Sequence, residues 1–262
     1  EHPGPDRGIS FGDGAFETIR VEGGQILFWE AHRDRLTAAL QTLDLRLPCS
    51  WADIMEQSHH VAAHLACGRL KVLVIRAGEG AYTPPTQEAL LWLTLQQVPE
   101  NPHYPLGPEQ RLILYPHTRL IESPWSRFKT LSALPYVQAA RYAAKKGFTD
   151  AILLSAEGYL AETSRANLFW YDGECLHTPP LSTGAVGGIL RSQVLASTAW
   201  LRIPIQETLA APEALLTARE VFTTNVLQGL APVRQITLSD RLERTYPEPE
   251  LLPYLVARLR KL

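Results

Sequence analysis

The chain has 262 residues, with 25 Lys and Arg against 27 Asp and Glu, so its formal net charge is −2. The contents of hydrophobic residues (45%) and charged residues (20%) are typical of a globular protein rather than a disordered one. No segment has the ~18–20 consecutive apolar residues of a membrane span, and the near-neutral charge disfavours non-specific nucleic-acid binding, so we expect neither partner.

The first part of the chain is predicted to contain two helices among five strands. The predicted strands cover residues 16–21, 26–29, 70–76, 89–97 and 111–115. A turn at 22–25 joins the first two strands, and leucines at helical spacing predict a helix over 30–44. Ser50, with Asp53 three residues later, predicts a capped helix that reaches about Cys67.

The second part is predicted to mix helices and strands after two irregular segments. Four prolines in 99–109 predict a surface loop, and the break at 117–128 predicts a connection between domains 1–116 and 129–262. The predicted elements are helices at 134–146, 188–201 and from 248, strands at 150–154, 168–170, 220–224 and 232–237, and a hairpin at 157–158. This order predicts a mixed α/β (α+β) fold.

Three cysteines, Cys49, Cys67 and Cys175, lie far apart in the sequence. They match no metal-ligand spacing and no disulfide framework, and the eight histidines form no metal-binding motif. We therefore expect no metal site and a cytoplasmic location, where thiols stay reduced. The sequence also lacks the Walker A, GxGxxG and GxSxG motifs of nucleotide-binding proteins and α/β-hydrolases.

Four local features have residue types that can carry chemistry. Lys129 stands before a predicted helix, and a lysine in an apolar pocket loses its proton readily and can bond to a carbonyl carbon. Glu162 lies near Arg165 before an apolar strand, where a carboxylate can hold a protonated ring nitrogen. Glycines 187–188 precede a helix whose free N–H groups suit a phosphate, which Arg35 can also bind. The ordinary alternatives are a solvated lysine, a surface ion pair, a simple turn and an exposed arginine.

In this order and at these distances, the four features resemble the fold-type-IV pyridoxal-phosphate enzymes, from Phe11 to about Val233. That family contains branched-chain aminotransferases, D-amino-acid transaminases and aminodeoxychorismate lyase. The resemblance implies a small N-terminal α/β domain, a larger C-terminal domain and an active site between them. It also implies pyridoxal 5'-phosphate as the cofactor and a homodimer as the assembly.

The resemblance further implies roles for individual residues. Lys129 matches the lysine that forms the Schiff base and moves the proton at the substrate Cα as general base and acid. Glu162 matches the glutamate that pairs with the pyridine nitrogen, and Arg35 matches the phosphate-binding arginine. The residues that match the two backbone phosphate loops are Ile189 and Leu190, and Asn225 and Val226.

Departures from the family patterns bear on the activity. Branched-chain enzymes have Lys-x-Gly-Gly-Asn-Tyr, whereas Leu134 stands five residues after Lys129 here, which disfavours that activity and leaves the contact to the cofactor's phenolate oxygen open. The loop 78–84 lacks the arginine with which relatives bind the substrate carboxylate. Arg76 and Arg165 are therefore predicted to bind substrate carboxylates. The alternatives are a contact with a loop carbonyl or with Glu79 for Arg76 and a dimer contact for Arg165.

The sequence therefore predicts a pyridoxal-phosphate-dependent transaminase that moves an amino group from a D-amino acid to a 2-oxo acid through Lys129. The pattern at 225–233 is closer to that of the lyase, so the alternative activity is 4-amino-4-deoxychorismate lyase, which releases 4-aminobenzoate and pyruvate. A binding or scaffold protein without activity is a third hypothesis. It is disfavoured because both Lys129 and Glu162 are present.

Overall fold

The computed structural model describes residues 7–101, 104–197 and 201–259. These residues form two units. The first unit runs up to Glu100 and also includes Phe128–Ala133, and the second contains Asn101–Arg127 and the chain from Leu134 onward. The bounds of these two units differ from those of the predicted domains, because the strand at Gln110–Leu120 pairs with strands of the second unit.

The first unit contains a small antiparallel sheet with helices. Its helices are α1 (Arg7–Phe11), α2 (Trp29–Thr42) and α3 (Trp51–Ala62), and its strands are β1 (Gly14–Glu22), β2 (Gln25–Ile26), β3 (Cys67–Arg76) and β4 (Ala89–Gln97). The strand order is β2-β1-β3-β4. Apolar side chains of both longer helices, among them Leu36 and Ile54, are buried in one core with Ile19 and Leu70 of the sheet.

The second unit is built on a larger mixed sheet. Its strands are β5 (Gln110–Leu120), β6 (Asp150–Ser155), β7 (Leu160–Thr163), β8 (Asn167–Tyr171), β9 (Leu176–Thr178), β10 (Ile205–Glu207), β11 (Glu220–Asn225), β12 (Gly229–Ser239) and β13 (Leu242–Thr245). Its α-helices are α4 (Leu134–Lys145), α5 (Ile189–Ala196), α6 (Ala214–Thr217) and α7 (Leu251–Leu259). The strand order is β10-β9-β8-β11-β12-β5-β6-β7, with β13 beside β12. Because β7 also pairs with β8, a closed ring forms from the six strands β8, β11, β12, β5, β6 and β7.

Several predicted elements end at different residues in the structure. The predicted strand at 26–29 stops at Ile26, because Phe28 adopts a left-handed backbone conformation (φ 56°) and α2 begins at the next residue. The capping box of Ser50 and Asp53 is confirmed, although α3 ends at Ala62. The predicted helix at 188–201 ends at Ala196, and residues 198–200 lie outside the described part of the chain.

The structure also bears on the classes of protein considered from composition. All three cysteines carry free thiols. Within the described ranges, no helix is long and apolar enough to cross a membrane. The same residues contain no cluster of three or more His, Cys, Asp or Glu side chains that could hold a metal ion.

A carboxylate from a distant strand caps the C-terminal helix. Glu220, the first residue of β11, is buried and accepts hydrogen bonds from the backbone N–H groups of Glu250 (2.7 Å), Leu251 (2.6 Å) and Leu252 (3.2 Å). These N–H groups lie at the start of α7, where a helix cannot satisfy its own donors. Glu220 therefore replaces the usual local N-cap and fastens α7 to the sheet.

We expect the Glu220→Ala variant to lose about 1–2 kcal/mol of unfolding free energy, as substitutions of capping residues typically do. Urea unfolding measures this loss, and hydrogen exchange should accelerate at the amides of residues 250–252. Glu250→Ala is the matched control, because its side chain is exposed and such substitutions change stability by about 0.5 kcal/mol or less. Equal losses in the two variants would contradict the capping role.

Candidate active site

The backbone of β1 fixes the segment that carries Lys129. The carbonyl of Lys129 accepts a hydrogen bond from the N–H of Phe16 (2.8 Å), and the N–H of Leu131 donates to the carbonyl of Gly14 (3.0 Å). Gly14 permits this close packing, since a Cβ there would lie 3.0 Å from Cδ1 of Leu131 and 2.3 Å from the carbonyl oxygen of Val74 on β3. The Nζ atom of Lys129 lies 5.0 Å from the ring centroid of Phe16, a distance at which a cation is attracted to the ring.

A buried cluster of charged and polar groups joins β1 to α2. Arg35 binds Glu17 through two hydrogen bonds, from Nε to Oε1 (2.7 Å) and from Nη2 to Oε2 (2.6 Å). The Nδ1 atom of His32 lies 2.7 Å from Oε2 of the same carboxylate. Because His32 and Arg35 are three residues apart on a helix, both side chains lie on the face that contacts β1.

Burial and charge oppose each other in setting the pKa values of this cluster. Burial raises the pKa of the Glu17 carboxyl, but attraction to Arg35 and the hydrogen bonds with His32 and Arg35 outweigh burial and lower it to about 2. Burial lowers the pKa of His32; Glu17 opposes this effect, while the charges of Arg35 and Lys129 add to it. Glu17 is therefore ionised and His32 neutral near pH 7, so Nδ1–H of His32 donates to Glu17.

In the second unit, donors from three elements hold the carboxylate of Glu162 on β7, which is only 3% exposed. Its Oε1 accepts from the hydroxyl of Tyr136 on α4 (2.8 Å) and the N–H of Val186 (3.0 Å). Its Oε2 accepts from the side-chain amide of Asn167 on β8 (3.1 Å). Burial, the charge of Glu162 and this hydrogen bond raise the pKa of Tyr136, so its phenol stays a donor.

The loop that precedes α5 packs tightly against the same group. Asn167 also donates to the carbonyl of Val186 (2.7 Å). A Cβ on Gly188 would lie 1.9 Å from Oδ1 of Asn167, so only glycine fits there without displacing the amide. Ile189 and Leu190, predicted to bind phosphate, are the first residues of α5, where backbone N–H groups have no partner within the helix.

The turn after β11 contains the second predicted phosphate loop. The side-chain oxygen of Asn225 accepts from the N–H groups of Leu227 (3.1 Å) and Gln228 (2.8 Å), which fixes the backbone of the turn around Val226. The neighbouring Thr224 is 2% exposed, and its hydroxyl has no hydrogen-bond partner among the described residues.

Sequence reasoning did not identify Tyr136, Asn167 or Thr224 as parts of the site. The sequence does contain a signal for Asn167. A tight hairpin after Glu162 places Asn167 opposite Glu162 on the paired strands β7 and β8. Asn167 in turn lies opposite Thr224 on β11. No sequence pattern indicates that Tyr136 reaches Glu162, since this contact depends on how α4 packs on the sheet.

The structure shows which groups bind the guanidinium of Arg76. Its side chain is buried, and Nε donates to Oδ2 of Asp13 (2.9 Å). Its other nitrogens donate to the carbonyls of Leu43 (2.6 Å), Asp44 (2.9 Å) and Thr86 (3.1 Å). These four bonds use four of the five N–H donors of a guanidinium. Arg76 therefore joins loops of its own unit, and its role toward a substrate stays a prediction.

Arg165 lies in a more accessible position, in the turn between β7 and β8. Its side chain is 50% exposed, and Nε lies 3.6 Å from Oδ2 of Asp150. Nη2 donates to the carbonyl of Thr149 (3.1 Å). The contacts seen for Arg165 are thus with the start of β6, and its role toward a substrate stays a prediction.

Comparisons with known proteins agree with this arrangement. The family model described as amino-transferase class IV matches residues 14–236. An aminodeoxychorismate lyase of Vibrio harveyi is 30% identical over 235 residues, covering 88% of this chain and 86% of that protein. A D-alanine aminotransferase of Listeria monocytogenes is 26% identical over 245 residues, covering 88% of this chain and 81% of that protein. The structure of 4-amino-4-deoxychorismate lyase from Pseudomonas aeruginosa matches with a TM-score of 0.82 at 28% identity, covering 100% of this chain and 95% of that one.

We expect Arg76→Ala to lower the unfolding free energy by about 3–5 kcal/mol, because it removes a buried partner of Asp13 and leaves three carbonyls without their donor. Arg165→Ala, the control, should lose about 1 kcal/mol or less, since the Arg165 side chain is half exposed and lies 3.6 Å from its partner Asp150. Chemical denaturation of both variants measures the difference. A fully stable Arg76→Ala protein would contradict the structural role.

We expect Gly188→Ala to displace the amide of Asn167 and to destabilise the protein by about 1–3 kcal/mol, the usual effect of overpacking. Gly187→Ala is the matched control, because the nearest atoms to a Cβ there lie at 3.5 Å and 3.7 Å, an ordinary contact. Thermal unfolding of the two variants tests the prediction. Equal stability would show that the Asn167 side chain moves aside without cost.

Proposed function

The chain belongs to the class IV aminotransferase family, and from that premise we propose that it is a 4-amino-4-deoxychorismate lyase, which releases 4-aminobenzoate and pyruvate. The observation that carries this choice is the position of Arg76. The transaminase hypothesis needs Arg76 for a substrate carboxylate, but its guanidinium is bound to Asp13 and three carbonyls. The lyase of Vibrio harveyi, at 30% identity, supports the same choice.

The family uses pyridoxal 5'-phosphate, and the residues present fit this cofactor. A protonated pyridine nitrogen needs a buried anion, and the Glu162 carboxylate is buried. A phosphate needs N–H donors and a cation, which the start of α5 and Arg35 offer.

We propose the following roles for the residues of this chain. When bound, the cofactor supplies an acceptor for the electron pair left on the carbon that bears the amine. Lys129 would hold the cofactor covalently and then carry the proton that this carbon loses. Glu162 would keep a proton on the pyridine nitrogen, while Tyr136 and Asn167 hold its carboxylate in one orientation. Arg35, oriented by Glu17, would bind the phosphate together with the backbone at Ile189, Leu190, Asn225 and Val226.

A second candidate function is the transfer of an amino group from a D-amino acid to a 2-oxo acid. The observation that favours it is the half-exposed Arg165, three residues after Glu162, which remains available to a carboxylate. The D-alanine aminotransferase of Listeria monocytogenes supports it at 26% identity. For either activity we propose a homodimer in the cytoplasm, where the free thiols would stay reduced.

We expect the purified protein to convert aminodeoxychorismate to equal amounts of 4-aminobenzoate and pyruvate. The measurement is product chromatography, in parallel with D-alanine or D-glutamate and a 2-oxo acid. The Lys129→Ala variant should lose the activity and serves as the control for contaminating enzymes. Transamination without release of 4-aminobenzoate would contradict the lyase activity and favour the transaminase.

We expect Glu162→Gln to slow the first half of the reaction by at least about tenfold, which corresponds to ~1.4 kcal/mol of barrier, because a neutral amide no longer holds a proton on the ring nitrogen. Cofactor content should be unchanged, since Arg35 and the backbone loops are intact. The control is Glu157→Gln, on the exposed hairpin before β7. An unchanged rate in stopped-flow measurements would remove Glu162 from the mechanism.

A further inference from the structure

The proline-rich segment that the sequence predicts as a surface loop lies against the turn after β11. The hydroxyl of Tyr104 donates to the carbonyl of Val226 in that turn (3.1 Å). Two backbone hydrogen bonds join the following residues of the segment to β12. The N–H of Leu230 donates to the carbonyl of Pro105 (2.6 Å), and the N–H of Gly107 donates to the carbonyl of Leu230 (2.8 Å). The segment therefore contacts both the turn and the strand that follows it, and the proposed roles do not use this contact.

Gly229 makes this close approach possible. It is the first residue of β12 and has a left-handed backbone conformation (φ 86°). A Cβ there would lie 1.9 Å from the carbonyl oxygen of Pro105, so another residue at this position would displace the segment from the turn. Pro105 is itself buried. The contact is thus packed as tightly as a core contact, although the segment was expected at the surface.

The register of the sheet places this turn at the same end of the strands as Glu162. Glu162 lies opposite Asn167 on β8, and Asn167 lies opposite Thr224 on β11. Residues directly opposite each other on paired strands have their side chains on the same face. The turn follows one residue after Thr224, and Gly188, the N-cap of α5, lies against Asn167. The turn and the start of α5 therefore lie near the same carboxylate.

Two side chains fix the peptide group that follows Val226. A trans peptide group is planar, so its carbonyl and its N–H point in opposite directions. Tyr104 holds the carbonyl, and the side-chain oxygen of Asn225 accepts from the N–H, which belongs to Leu227 (3.1 Å). The preceding peptide group is held by the last pair of the β11–β12 ladder, Asn225 opposite Gly229. Because the chain is held on both sides, the N–H of Val226 keeps one direction.

We propose that Tyr104 is a positioning residue for the cofactor's phosphate, because its hydroxyl holds the turn in the orientation in which the backbone N–H of Val226 donates to a phosphate oxygen. This inference rests on the proposed function, which assigns Asn225 and Val226 to the phosphate. The side chain of Val226 is apolar, so only its backbone can bind an anion. A donor that is held in place before the ligand arrives reduces the cost of ordering on binding. Tyr104 therefore raises the affinity for the phosphate without touching it.

The first test compares two ligands that differ only in the phosphate, pyridoxal 5'-phosphate and pyridoxal, on the full-length apoprotein. The variant is Tyr104→Phe, which removes the hydroxyl and keeps the ring. We expect its affinity for pyridoxal 5'-phosphate to fall about three- to tenfold, as for the loss of one hydrogen bond, and its affinity for pyridoxal to change by about twofold at most. Equal changes for the two ligands, or no change for either, would overturn the proposal.

Tyr171→Phe is the matched control. The hydroxyl of Tyr171 also donates to a backbone carbonyl, that of Gly173 (2.6 Å), and both tyrosines are partly buried. Tyr171 ends β8, whereas Asn167 begins it, so this hydrogen bond lies at the other end of the strand. We expect both variants to lose similar stability in urea unfolding, but only Tyr104→Phe to change the ratio of the two affinities. The same change of ratio in Tyr171→Phe would overturn the proposal.

The second test shows whether Tyr104 acts through the turn. In the absence of ligand, we expect amide hydrogen exchange at residues 226–228 to be faster in Tyr104→Phe than in the wild type, while residues 189–191 at the start of α5 are unchanged. A lower affinity for pyridoxal 5'-phosphate without faster exchange in the turn would mean that the hydroxyl acts on the ligand itself, which would overturn the positioning role. A raised KM for aminodeoxychorismate with unchanged cofactor affinity would assign the turn to a substrate carboxylate and would overturn it as well.

The two proposals can fail separately in these experiments. If the protein releases 4-aminobenzoate but Tyr104→Phe leaves the ratio of the two affinities unchanged, the role of Tyr104 is wrong and the activity stands. If Tyr104→Phe weakens pyridoxal 5'-phosphate selectively but neither lysis nor transamination occurs, the proposed function is wrong and the role of Tyr104 stands.

Discussion

The burial of the Glu162 carboxylate is the constraint on which the candidate site of the second unit depends. A buried carboxylate must be given hydrogen-bond donors, and here they come from α4, from β8 and from the loop before α5. Three elements distant in sequence thus converge on one side chain. These three donors are neutral, so they fix the position of Glu162 without adding a charge of their own.

The first unit meets the same requirement with a charged donor, Arg35, beside the neutral His32. Glu17 is also buried, but Arg35 binds it through two hydrogen bonds and offsets its charge. Its function is accordingly different, because a neutralised carboxylate orients its partners but does not attract a cationic group of its own. Glu17 thus differs from Glu162 in that a cation is among its hydrogen-bond donors, whereas the donors described for Glu162 are neutral.

The sequence was sufficient for the fold class, the family and most elements, and these predictions are confirmed. Strong local signals account for this success, such as the capping box at Ser50. The partners of buried polar groups could not be predicted, because they depend on tertiary packing: Tyr136 reaches Glu162 from another element, and Arg76 is bound by the carbonyls of distant loops. The missing arginine in loop 78–84 suggested a substrate role for Arg76, whereas its bonds to Asp13 and to three carbonyls depend on packing that the sequence does not show.

The cap that Glu220 places on α7 also bears on the order of folding. A helix of nine residues is marginal in isolation, and the carboxylate that caps α7 lies about thirty residues earlier in the chain. Because the pairing of β11 in the sheet sets the position of Glu220, we expect the cap to form after β11 has joined the sheet and α7 to acquire its stability late. An interaction formed after the transition state affects the rate of unfolding rather than the rate of folding. The C-terminal helix therefore contributes to the lifetime of the native protein more than to the speed with which it forms.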